Sequence, residues 1–149
     1  MMPQRVQKEH LAAIAALEKS VFHAPWSEEA LALLTTESAF GFVVTEGEDA
    51  LCYGGMLTVL DEGQITNIAT HERARRQGHA SRVVEALLLE ARARGLVEVT
   101  LEVRESNAAA IALYERHGFV TVGKRPRFYT KPVEAALVMS CALGGERRE

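Results

Sequence analysis

Three short runs rich in β-branched, aromatic and small apolar residues, at 40–45, 51–59 and 64–69, follow one another across connections that permit only a reversal of the chain. The connections are Glu46-Gly47-Glu48-Asp49 and Leu60-Asp61-Glu62-Gly63, each short and each carrying a glycine, as hairpin loops do. A parallel crossover would need about a dozen residues or more. The middle of the chain is therefore committed to an antiparallel meander, and every other element has to pack on that sheet.

The flanks read as helices and further strands. Residues 8–19 and 27–36 show helical spacing of apolar positions. The second run follows Pro25 and Trp26, takes Ser27 as its N-cap and places Glu28 and Glu29 in the first turn, where the helix dipole favours acids. A long helix is predicted over 78–94, with Ala80, Val83, Val84, Leu87, Leu88 and Ala91 on one stripe and Gly95 closing it. Val97, Val99, Leu101 and Val103 then alternate with Glu98, Thr100, Glu102 and Arg104, the period of a half-buried strand, so Glu102 points away from the main apolar face. Ser106 and Asn107 are both good N-caps, and the alanine-rich run behind them predicts a helix over 107–117 that stops at Gly118. Strands at 119–123 and 134–141 complete the pattern, and 144–149, glycine and charge, reads as a frayed tail. A meander followed by strand–helix–strand units implies a mixed sheet with helices on its faces, in one domain over 1–143.

Composition narrows the class. A chain of 149 residues that is 48% hydrophobic and 25% charged can bury a full core in one domain. Cys52 and Cys141 sit in apolar, strand-like surroundings without zinc-knuckle or redox spacing, which reads as two reduced core thiols of a cytoplasmic protein. The apolar run 11–17 is too short to span a bilayer and leads straight into Glu18 and Lys19, so no membrane attachment is expected. His71, His79 and His117 have no HExxH motif or cysteine partner, so no metal is expected. Net charge is −3 but unevenly placed: residues 1–70 hold ten acids against three lysines and arginines, residues 71–149 ten against fourteen. Such a division suits an anionic ligand on one side and a cationic one on the other, with solvated surface charge as the simple alternative.

Two segments bear chemistry. In the first, Arg73, Arg75 and Arg76 precede Gly78 and the start of the long helix, whose unpaired N–H groups and partial positive charge suit a phosphate. There is no lysine after a second glycine, as a Walker loop needs, and no three-glycine dinucleotide fingerprint, so neither nucleotide hydrolysis nor nicotinamide chemistry is supported. The second segment, 101–119, places an acid, an amide and a phenol in order: Glu102, Asn107, Tyr114. Asn107, Ile111 and Tyr114 share a helix face, its ends roughly 10 Å apart, a reach suited to an elongated ligand. Each also has an ordinary role available: solvated carboxylate, helix cap, packing ring.

Arg75-x-x-Gly78-x-Ala80 is similar to the pyrophosphate-loop motif of the GNAT superfamily of acetyl-CoA-dependent N-acetyltransferases. Asn67-Ile68-Ala69, Leu101-Glu102-Val103-Arg104, the run from Ser106 to Glu115 with Gly118-Phe119, Pro25-Trp26-Ser27-Glu28 and the pair Phe128-Tyr129 resemble, within it, the bacterial ribosomal-protein-alanine N-acetyltransferases. The resemblance implies an α/β (α+β) fold, a mixed, mostly antiparallel sheet of six to seven strands with about four helices, and acetyl-CoA as co-substrate. It implies that backbone groups of Ile68, Ala69 and Thr70 hold the pantetheine arm and acetyl group, that Arg75, Arg76, Gln77, Gly78, His79, Ala80 and Ser81 wrap the pyrophosphate, and that Asn107 contacts the cofactor. Glu102 would accept a proton, Tyr114 would donate one, and Trp26, Asn67, Phe128 and Tyr129 would meet the N-terminal segment of a ribosomal protein. It also implies a monomer or weak homodimer with no direct nucleic-acid contact. The chain departs from the pattern at Ala80, for a commoner glycine, at His79, where an apolar residue is usual, at Thr70, for a common valine, and at Phe128, the first of two tyrosine positions.

Amide formation from a thioester needs a neutral amine, a home for the oxyanion and a proton for the leaving thiolate. With a reference pKa of about 7.7–8.0, an α-amine is roughly a tenth neutral at pH 7, whereas a lysine near 10.4 is well below a thousandth, so a modest carboxylate base suits the former. Glu102 can serve, directly or through water; Tyr114 can donate to the sulfur. A backbone N–H near Ile68 or Ala69 can take the oxyanion if the strand there is splayed rather than paired. The rival readings are acetylation of another protein or a small amine, a non-catalytic acyl-CoA-binding module, and nucleic-acid binding through the arginines, which the acidic overall balance disfavours.

Overall fold

The runs joined by hairpin-sized connections form the expected meander: β2 (Ala39–Glu46), β3 (Asp49–Val59) and β4 (Glu62–Thr70) pair antiparallel in succession. They are the centre of a seven-stranded sheet in the computed structural model, which describes residues 1–145. With β1 (Gln4–Arg5), β5 (Glu98–Arg104), β6 (Val120–Tyr129) and β7 (Glu134–Ala142), the strand order is β1-β2-β3-β4-β5-β7-β6. Every pairing is antiparallel except β4 with β5. Residues 146–149 of the expected frayed tail lie outside the described residues.

Helices cover both faces. α1 (Leu11–Val21) and α2 (Glu28–Leu31) bury Leu11, Ile14, Leu17 and Leu31 against Val43, Tyr53 and Ala69. On the other face α3 (His79–Ala93) sets Val83, Val84, Leu87, Leu88 and Ala91 against Phe40, Val44 and Met56, and α4 (Ala108–Arg116) adds Tyr114 to the same core. The close approach of α3 depends on Gly54, where a Cβ would come within 2.5 Å of Ile68 and 2.8 Å of Val83. β5 alternates as read, with Val99, Leu101 and Val103 buried.

Three elements differ from expectation, each for a local reason. The run at 27–36 is one α-helical turn followed by a 3-10 turn (Ala32–Thr35). Ser27 caps it, its Oγ accepting the Ala30 N–H at 3.1 Å, but Thr35 and Thr36 donate their hydroxyls back to the Ala32 and Leu33 carbonyls, which competes with the helical ladder. β6 runs to Tyr129 instead of stopping at 123; as an edge strand exposed along nearly its whole length it tolerates Lys124, Arg125 and Pro126, and so lacks an apolar period. β1, only two residues long, has no period to read.

His79 belongs to the inward stripe of α3, one turn before Val83, and is 7% exposed. Neither ring nitrogen has a hydrogen-bond partner among the described residues. Burial, with Arg82 nearby, holds its pKa below the ordinary value. An orphaned buried polar group costs about 1–3 kcal/mol. His79→Leu is therefore expected to raise the unfolding free energy by about 1–2 kcal/mol at neutral pH. The gain should widen as pH falls below the ordinary histidine value of 6.5, where the unfolded chain takes up a proton that the folded ring resists. Urea denaturation at about pH 7.5 and about pH 5.5 measures both effects; a variant no more stable than the parent at either pH would show that the ring is not orphaned.

Candidate active site

Only three registers join β4 to β5: Glu62 with Glu98, Gly63 with Val99 and Gln64 with Thr100. Just past them the β3–β4 ladder shifts register, Met56 facing Ile65 and Gly54 facing Ile68, so β4 uses three residues where β3 uses two. Such a bulge bends its strand. β4 turns away from β5, and a cleft of about 670 Å³ opens between them.

The alternation of the antiparallel ladder decides which backbone groups face the opening. The His71 N–H donates to the Leu51 carbonyl at 2.7 Å, and the same register pairs Tyr53 with Ala69. Stepping by two along that ladder, the backbone groups of Ala69 point at β3, while those of Ile68 and Thr70 point into the splay. The Ala69 side chain is buried in the core beneath α1. Of the three β4 residues singled out in the sequence, Ile68 and Thr70 thus offer backbone groups on the open side and Ala69 does not.

Glu102 leaves β5 on the cleft side with its side chain 17% exposed. Gln64, the last residue of β4 paired to β5, donates Nε2 to Glu102 Oε1 at 3.1 Å, and Arg125 of β6 lies 3.5 Å from Oε2. Tyr114 enters the cleft from α4, its ring edge-on to Phe119 at 5.7 Å. Its hydroxyl has no hydrogen-bond partner among the described residues. Burial pushes its pKa well above the ordinary phenol value, with Tyr129 and Cys52 adding to the shift. Asn107 is both cap and cleft residue: Oδ1 accepts the Ala110 N–H at 3.1 Å, which leaves the amide NH2 available.

The far end of the cleft has two walls. Phe128 and Tyr129 stack edge to face at 5.0 Å on one side. Arg104 lies 4.5 Å over the Tyr129 ring, donates to the Thr130 and Pro132 carbonyls at 3.0 and 3.1 Å, and pairs with Glu134 at 3.2 Å. Glu134 in turn accepts the Ser106 N–H at 2.7 Å, tying the β6–β7 turn to the start of α4; these bonds hold its carboxyl below the usual carboxylate value. Trp26 and Asn67 form the other wall, both bonded to Glu18 of α1.

The loop before α3 lies apart from this cleft. Arg76 and Gly78 both adopt left-handed backbone, φ 65° and 79°, which suits a turn that presents successive N–H groups on one side. Arg75 and Arg76 make no ion pair among the described residues. Arg73 does not add to that charge as the sequence suggested: it pairs with Glu46 at 2.7 Å and Asp49 at 3.0 Å, fastening the loop to the β2–β3 turn. Gln77 donates to the Arg73 carbonyl at 3.3 Å, Ala80 packs on the core beneath α3, and Ser81 Oγ lies 2.8 Å from His117 Nε2, linking the first turn of α3 to the end of α4. The inward His79 ring leaves only its backbone to face an anion. No three histidine, cysteine or acidic side chains among the described residues are placed to hold a metal.

Glu18, Gln64, Arg104 and Glu134 were not singled out in the sequence. A signal existed for Glu18, which falls on the apolar stripe of α1 with Leu11 and Ile14. Gln64 had none, because its place beside Glu102 arises from a parallel pairing.

Residues 11–119 match the acetyltransferase (GNAT) family. The chain is 36% identical over 135 residues to the ribosomal protein bS18-alanine N-acetyltransferase of Escherichia coli (strain K12), covering 89% of this chain and 91% of that one. It superposes on the crystal structure of the ribosomal-protein-S18-alanine N-acetyltransferase from Escherichia coli with a TM-score of 0.86 at 33% identity, over 99% of both chains. Ard1 from Thermoplasma volcanium, 22% identical with a TM-score of 0.82 over 95% of this chain and 97% of that one, shares the fold. The splayed β4–β5 pair, the Arg-Gly-Ala loop before α3 and these matches agree: the chain belongs to the acetyltransferase (GNAT) family.

Proposed function

We propose that this acetyl-CoA-dependent N-acetyltransferase acetylates the N-terminal α-amine, that of an alanine, of a ribosomal protein by direct attack, with residues 1–143 as its catalytic domain. The observation that carries the reading is that one cleft, opened where β4–β5 pairing stops, is lined by Glu102, Tyr114 and the residues of a peptide-sized far end. The substrate comes from the relatives, named for the alanine of bS18 at 36% identity.

Acetyl-CoA supplies the thioester carbonyl that is attacked and the thiolate that leaves. The chain fits it. Ile68 and Thr70 have backbone groups without a sheet partner among the described residues on the splayed side, the left-handed turn at Arg76 and Gly78 leads into the N-terminus of α3, and Arg75 and Arg76 are exposed cations. The Asn107 amide and the hydroxyl of Ser81 complete the cofactor side.

Glu102 takes the proton of the attacking amine, directly or through a water, while Gln64 fixes its carboxylate. The Ile68 N–H, on the splayed side of β4, receives the oxyanion in this reading. Tyr114 stays protonated through neutral and mildly alkaline pH because burial disfavours its anion. It therefore keeps a proton with which to hydrogen-bond the departing sulfur, and as general acid it passes that proton on as the C–S bond breaks in concert with taking another from solvent, so that no free phenolate forms.

Acetyl-CoA consumption by the purified enzyme should favour an alanine-starting basic peptide over lysine peptides, polyamines and aminoglycosides, with mass spectrometry placing the acetyl group on the α-amine; preference for a small amine would overturn the reading. Glu102→Gln and Tyr114→Phe should each lower kcat by about a hundredfold or more while CoA affinity, measured by calorimetry, stays near that of the parent. The pH profile adds a separate check. kcat/KM should climb to about pH 8 as the α-amine loses its proton, then hold level to about pH 10. A descending limb at about pH 9 that disappears in Tyr114→Phe would mean that Tyr114 ionises too early for this role.

A further inference from the structure

One position on the inward stripe of α1 is not apolar. Glu18 follows Leu11 and Ile14 at helical spacing and is 0% exposed. Among the described residues it meets no lysine, arginine or histidine; three neutral donors converge on it instead. Oε1 accepts the Trp26 backbone N–H at 2.9 Å, and Oε2 accepts the Asn67 amide Nδ2 at 2.9 Å together with the Tyr53 hydroxyl. A buried carboxylate is tolerated when such donors satisfy it, and taking one away leaves charge uncompensated. Glu18 is sealed from the cleft, so it takes no direct part in acyl transfer. Two of its three partners, Trp26 and Asn67, do line the cleft.

The consequence is directional. A carboxylate accepts and cannot donate, so the Asn67 amide must turn its NH2 toward Glu18, and the planar group then turns Oδ1 the opposite way. Oδ1 has no partner among the described residues and is not sealed from solvent, and Asn67 is a lining residue of the cleft. With a donor at position 18 the amide would present its NH2 instead. We propose that Glu18 is a positioning residue for the acceptor substrate: it holds Asn67 with Oδ1 outward beside Trp26, so that this wall accepts a hydrogen bond from an N–H at the amine end of the incoming segment.

This rests on the reading that the cleft takes an amine acceptor, and the experiment separates the two. Steady-state kinetics with acetyl-CoA and an alanine-starting basic hexapeptide are measured first on the parent enzyme; absence of turnover overturns the acceptor reading and this proposal with it. Given turnover, Glu18→Gln should raise the peptide KM by about tenfold, the scale of one lost hydrogen bond, while the acetyl-CoA KM moves by less than about threefold. The exchange Glu18→Gln with Asn67→Asp reverses the hydrogen bond yet still turns an acceptor oxygen to the cleft, and should bring the peptide KM back to within about threefold of the parent. A role in folding alone would lower activity in proportion to folded protein, leave both KM values unchanged and give no rescue, and that result overturns the proposal. Should Glu18→Gln not fold, Asn67→Ala reads the same contact: a tenfold rise in peptide KM at constant acetyl-CoA KM supports it, and an unchanged peptide KM overturns it.

Discussion

The parallel pairing of β4 with β5 ends after three registers, and the site follows from where it ends. Were the two strands bonded along their length, Ile68 and Thr70 would be ordinary ladder residues and Glu102 would sit on a closed sheet. The bulge in β4 at the same level bends the strand away, and of the residues whose backbone groups this frees Ile68 lines the open cleft. Sealed from water, such groups would each cost about 1–3 kcal/mol. Facing the cleft they are solvated, or are donors and acceptors for a ligand.

Polar clamps set the walls on either side of that opening. Arg104 gathers the Thr130 and Pro132 carbonyls and Glu134, and Glu134 holds the Ser106 N–H, so the turn that brings Phe128 and Tyr129 to the cleft is tied to the helix bearing Tyr114. On the other side Glu18 ties α1 to β3, β4 and the loop at Trp26. The two differ in kind. The first is a partly exposed ion pair with backbone acceptors, whereas the second is a buried carboxylate held by neutral donors, where loss of one partner is more costly.

Much of the fold was legible because its elements are locally consistent. The meander followed from connection length, β5 from its alternation, and α3 from its stripe, with Gly78 and Gly95 bracketing it. What escaped was not periodic: a two-residue β1, an edge strand free to carry charge on both sides, and a helix undone after one turn by threonine hydroxyls. At the site, the sequence order of Glu102, Asn107 and Tyr114 survives as proximity because β5 and α4 are adjacent in the chain. His79 was legible only in part: its place in the loop motif leaves its backbone to face an anion, but the helical phase turns its ring into the core.

By itself, then, the amino-acid sequence determined most of the strands and helices, the Ser27 and Asn107 caps, the glycine at the loop before α3, and the order of acid, amide and phenol, all properties that depend on neighbours a few residues away. Tertiary structure alone decided where β4 leaves the β5 ladder, that Gln64 bonds Glu102, that among the described residues Arg73 is ion-paired and Arg75 and Arg76 are not, and that Glu18 bonds Asn67. These depend on contacts between residues 24 to 49 positions apart, where neither periodicity nor local propensity specifies what will meet.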